Sequence, residues 1–170
     1  MKQLRFNLRG LLIFIAVISV VLTLIVLIYP TRQKAVAKIF GGRAGIRTVA
    51  KPDRVFAFRV ELPKEIFYED AVASDYRITS DPVALSTANI KKVSAVLLSP
   101  DTYGWEDAFS CGFSPDRKLT FIRDSEQVDV VFHADCPILY IYLNNDFVGG
   151  EDFINAQRVF ESVFSESFAE

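Results

Sequence analysis

Lys118 to Val148 reads KLTFIRDSEQVDVVFHADCPILYIYLNNDFV, and the fold class follows from it. Lys118 to Arg123, Val128 to Ala134 and Ile138 to Leu143 are runs rich in β-branched and aromatic residues, the composition that suits a pleated surface. Asp124-Ser125-Glu126-Gln127 separates the first two as a turn. Asn144-Asn145-Asp146 is a hairpin turn, because Asn and Asp tolerate the left-handed conformation, and Phe147-Val148 opens a fourth strand. The pattern predicts an antiparallel β-meander.

Upstream, Val55 to Leu62 alternates, with Phe56, Phe58, Val60 and Leu62 on one side and Arg59 and Glu61 on the other. A period of two is the mark of a half-buried strand, which Pro63 ends. A polar stretch with Tyr68 and Asp70 leads to a short extended piece, Tyr76 to Thr79. Ser86 or Thr87 is a suitable N-cap for a helix carrying Ile90, Val93, Val96 and Leu97, and Pro100 stops it. Downstream, Asp152 or Asn155 caps a last helix whose Val159, Phe160, Val163 and Phe164 form one apolar stripe. The expected architecture is α+β, a small domain over 54–170 in which two helices pack on one face of the meander.

Residues 11–29, LLIFIAVISVVLTLIVLIY, contain no charge. At a helical rise of roughly 1.5 Å they span nearly 30 Å, the thickness of a bilayer's hydrocarbon core, so the expectation is an N-terminal transmembrane helix behind a short tail, 1–10. A single-pass membrane protein follows, with the lipid bilayer as partner through 11–29. Lys2, Arg5 and Arg9 on one flank oppose Arg32, Lys34, Lys38, Arg43 and Arg47 on the other, which leaves the side of the folded domain open. Ala35-Val36-Ala37 has the small-x-small shape of a signal cleavage site, but Arg32 and Lys34 lie between it and the apolar run, so an uncleaved anchor is the better account. Residues 30–53 are basic, with Gly41, Gly42 and Gly45 in neither nucleotide-binding spacing, and read as a flexible connector.

The chain has 170 residues and a net charge of −2. Without anchor and connector about 115 to 120 residues remain, room for one domain with a real core. Basic residues crowd the N-terminal part and acidic ones the C-terminal part, a balance that gives nucleic-acid binding no support.

Cys111, His133 and Cys136 comprise both cysteines and the only histidine. Three readings stand: plain thiols, a Cys111 to Cys136 bridge closing a loop of about 25 residues, or a zinc site with His133 and the two sulfurs as ligands and Asp116 or Asp135 as a fourth. A thiol nucleophile activated by His133 lacks an orienting third group. Tyr103 and Trp105 lie in the loop after Pro100. Aromatics there suit a protein-partner hot spot or a lid over the sheet edge. Gly149-Gly150-Glu151-Asp152-Phe153 is similar to the signature turn of diguanylate cyclases, but that turn lies mid-domain there, whereas 17 residues follow Phe153 here. Two glycines for a tight turn and Asp152 for a helix start account for the segment without a nucleotide.

From Asp75 to Phe164 the chain resembles a family of uncharacterised bacterial proteins. The shared stretches are Asp75-Tyr76, Pro82-Val83, Leu97 to Trp105 (LLSPDTYGW), Cys111 with Pro115, Val128-Asp129-Val130 leading to Cys136, and Val148 to Phe153 (VGGEDF). Many members carry Cys-Phe-x-Cys where this chain reads His133-Ala134-Asp135-Cys136. The resemblance therefore implies a histidine in a cysteine's place, a swap that a zinc site tolerates. It implies no activity. The expected function is a membrane-tethered interaction or structural module with an unknown protein partner; the alternative is a zinc-binding or thiol-dependent domain using Cys111, His133 and Cys136.

Overall fold

The computed structural model describes residues 8–63, 71–105, 114–133 and 135–169, with the side chains of 8, 9 and 25–30 excepted. In chain order the elements are α1 (Leu8–Ile39), α2 (Arg43–Ala50), β1 (Arg54–Glu61), β2 (Arg77–Ile78), β3 (Val83–Ala84), α3 (Thr87–Leu98), β4 (Arg117–Arg123), β5 (Glu126–Phe132), β6 (Ile138–Leu143), β7 (Asp146–Asp152) and α4 (Gln157–Phe168). All pairings are antiparallel, in the order β2-β1-β4-β5-β6-β7 with β3 also on β1. The α+β class and the antiparallel meander are as expected. Asn144 and Asn145 take φ of 51° and 82° and Asp124 takes 52°, the left-handed turn geometry that the hairpins need.

The transmembrane expectation is corrected. Among the described residues no helix is long and apolar enough to cross a membrane. Residues 25–29 of the expected 11–29 span lie outside the described side chains. The single-pass membrane localisation falls with the span. Within 10–24 every side chain is exposed, Leu12, Ile13 and Phe14 at 59%, 66% and 62%.

The connector is corrected too. Residues expected to be a flexible spacer form the end of α1 and all of α2, and they supply Val36, Ile39, Phe40 and Val49 to the core. Gly41 and Gly42, with φ of 69° and 87°, end α1: Gly42 N–H donates to Ala37 O and Gly41 N–H to Lys38 O, the paired bonds of a left-handed helix stop. Gly45 lets α2 start directly against this end, because a Cβ there would lie 1.8 Å from the Phe40 carbonyl oxygen. Thr48 and Arg47 of α2 both reach the Glu126 carboxylate, at 3.0 and 3.1 Å.

One face of the sheet is thus covered by more than the two expected helices. The end of α1, α2, α3 and α4 meet Val55, Ala57, Leu119, Phe121, Val128, Val130, Phe132, Leu139 and Ile141 in one core. Ser86 caps α3 as expected, accepting from Asn89 N–H at 3.2 Å. The other face is not bare. Val60, Ala71, Ala73, Tyr76, Val131 and Tyr142 form a second, smaller cluster, closed by a 2.8 Å hydrogen bond between the Tyr76 and Tyr142 hydroxyls. Beside it the buried Asp129 carboxylate accepts from Thr120 Oγ1 and Gln127 Nε2 and lies 3.9 Å from Lys118 Nζ.

Two local expectations fail for identifiable reasons. Gly149 and Gly150 belong to β7, not to a turn. A Cβ on Gly149 would stand 2.7 Å from Ile39 Cα, and one on Gly150 2.5 Å from the Tyr140 ring, so close packing is what calls for glycine. Neither Asp152 nor Asn155 caps α4; Asp152 ends β7, and Asn155 Nδ2 donates to Asp101 O.

Two outcomes follow from this packing. Gly149→Ala is expected to lower stability by about 1–3 kcal/mol in chemical denaturation, since the neighbour it meets is helix backbone. The described side chains of 10–24 are all exposed, so deleting residues 1–24 is expected to leave the thermal midpoint of the folded body unchanged; a lower midpoint would mean that the deleted part supports the fold.

Candidate functional site

The residues singled out from sequence do not gather into one site. Tyr103 is buried, and its hydroxyl donates to Leu97 O at 2.5 Å. Burial and the nearby Glu151 charge push that hydroxyl far above its ordinary pKa, which keeps it a neutral donor. Trp105 is half-buried, its Nε1 donates to Pro100 O at 2.8 Å, and its ring lies 5.1 Å from Tyr103. Both pack on the main core.

Cys136 is buried and disulfide-bonded, and the chain holds one other cysteine, Cys111, which lies outside the described residues. With its sulfur in a disulfide, Cys136 has no thiolate to offer a zinc ion. His133 Nδ1 accepts from the Asp135 backbone N–H at 2.9 Å. Among the described residues no group of three His, Cys, Asp or Glu side chains is placed to hold a metal.

A different place in the fold carries the chemistry. Where β1 ends and β4 begins, a cleft of about 740 Å³ opens beneath the last turns of α4. Arg59 and Arg117 line it, as do Phe164 and Phe168, with Thr79, Ser165, Asp116, Asp135 and Glu161 around them. Main-chain bonds hold the frame: Thr79 N–H donates to Arg59 O at 2.9 Å, Val60 N–H to Asp116 O at 3.0 Å, and Asp116 N–H to Phe132 O at 3.3 Å.

The arginines are direct cross-strand partners, Arg59 on β1 facing Arg117 on β4. Like charges directly opposite on one sheet face repel. Each is held by an aromatic ring instead: the Arg59 guanidinium lies 5.2 Å from the Phe168 ring centre and that of Arg117 5.4 Å from Phe164. Phe164 and Phe168 are four apart on α4 and stack on each other, 25° between planes at 5.6 Å. Arg117 also has Asp116 at 3.6 Å. Among the described residues no carboxylate pairs with the exposed Arg59.

Neither arginine was singled out from sequence. A signal was present, because Arg59 continues the face of Val55 and Ala57, both buried in the main core. The apparent polar side of β1 is therefore also a core side, and a cation in line with it has to emerge at an edge of the helix layer.

Compared with protein-family models, with curated proteins and with solved structures, the chain finds no match in any of the three.

The disulfide adjoins the cleft, since Cys136 follows the rim residue Asp135. Cys136→Ser is expected to lower stability, by about 3 kcal/mol if the bridge closes the loop of roughly 25 residues back to Cys111. Denaturation of wild type with and without a reductant checks this, and reduction should have no further effect on the variant.

Proposed function

We propose that this chain is an interaction module, and that its binding site is the cleft between α4 and the β1–β4 end of the sheet. The paired guanidiniums of Arg59 and Arg117, stacked on Phe168 and Phe164, carry this reading. They are positioned before any ligand arrives, so little side-chain entropy is lost on binding. A cleft of about 740 Å³ lined by two aromatic rings and a majority of polar and charged residues has the dimensions of a recognition site. Among the described residues the hydroxyls on its lining are those of Thr79 and Ser165. The bare apolar side chains of α1 over 10–24 favour the same class of function, since apolar surface of that extent is normally covered in an assembly.

Site-directed photo-crosslinking in the producing cells tests it. A photoreactive residue at Ser165 or Ala169, both exposed on the cleft, is expected to trap one common partner. The same residue at Ser125, in the turn at the far end of β4, should not. Arg117→Gln should reduce the adduct. Equal capture from Ser125, or none from the cleft positions, overturns the reading.

A further inference from the structure

We infer that the cleft takes the free C-terminal carboxylate of a polypeptide whose last side chain is apolar; this rests on the cleft being the binding site. Two arginines in register on adjacent strands both line the cleft, each bringing several N–H donors, and the fork of an arginine matches a carboxylate's two oxygens. An incoming anion also relieves the repulsion between the two cations. Arg59 is the more available, being exposed and without a carboxylate partner among the described residues, while Arg117 is steadied by Asp116.

Charge selects among anions. Among the described lining residues two arginines face three carboxylates, those of Asp116, Asp135 and Glu161, one more negative charge than positive. A phosphate carrying close to two negative charges is disfavoured there, whereas a singly charged carboxylate at the arginine end is not. Asp135 and Glu161 then serve the rest of the ligand, because a carboxylate accepts hydrogen bonds from peptide N–H groups. Thr79 and Ser165 add hydroxyls that donate or accept. Phe168, half-buried, offers the apolar contact for the terminal side chain. A donor end, an apolar wall and an acceptor rim match a chain terminus better than a bare anion.

The test is titration of the full-length protein, kept in a mild detergent, with Gly-Gly-Gly-Gly-Phe bearing a free carboxylate, its C-terminal amide, hydrocinnamate and inorganic phosphate, followed by calorimetry. The free-acid peptide is expected to bind roughly tenfold or more tightly than the amide, the factor that one charge-assisted contact supplies. Arg59→Gln and Arg117→Gln should each remove most of that difference, with circular dichroism confirming that the variants fold. Equal binding of acid and amide, tighter binding of phosphate, hydrocinnamate matching the peptide, or no binding at all overturns the inference. Crosslinks that persist at Ser165 and Ala169 despite such a result would leave the interaction module standing and remove only its ligand class; loss of both would remove the two together.

Discussion

The burial of Phe132 is the contact on which the rest of the arrangement depends. Its ring, at the end of β5, meets Phe160 at 4.9 Å, Phe164 at 5.2 Å and Phe153 at 5.8 Å, each edge-to-face. Three aromatic contacts of this kind add to an already large burial of apolar surface. They fix α4 both in rotation and along its axis. Only with α4 in that register do Phe164 and Phe168 lie under Arg117 and Arg59, so the cleft is a consequence of how the core closes.

The cleft sets repulsion against compensation. Two arginines directly across a strand pair cost stability, and the aromatic rings below and the acidic rim beside them offset part of that cost. The sheet's opposite face handles charge differently: Lys118 and Asp129 are buried there with Thr120 and Gln127 supplying hydrogen bonds, and the Lys118 ammonium lies 5.5 Å from the Phe58 ring centre. Charges satisfied in this way serve the fold. Those left at the cleft remain available to a ligand.

Much of the sheet was legible because each strand needs only local information. Alternation in Val55 to Leu62 and the asparagines at 144 and 145 report a backbone state that the residues themselves impose. Residues 30–53 were misread because Val36, Ile39, Phe40 and Val49 are spaced among basic side chains and look solvated until the sheet is there to receive them. Gly149 and Gly150 were misread for a related reason. A glycine required by a tight turn and one required by a neighbouring backbone look the same in one dimension, and the Ile39 main chain that decides the matter is over a hundred residues away.

From the amino-acid order alone came the α+β class, the antiparallel meander, a cap at Ser86 or Thr87 and the apolar stripe of α4, all set by periodicity or by conformational preference over a few residues. The tertiary structure alone decided that the N-terminal glycines end a core helix, that Tyr103 and Trp105 face inward, and that Cys136 is bridged. It alone set Arg59 opposite Arg117 over two stacked rings. Strand register, helix rotation and sulfur pairing join residues far apart in the chain, and no local preference encodes the distance between them.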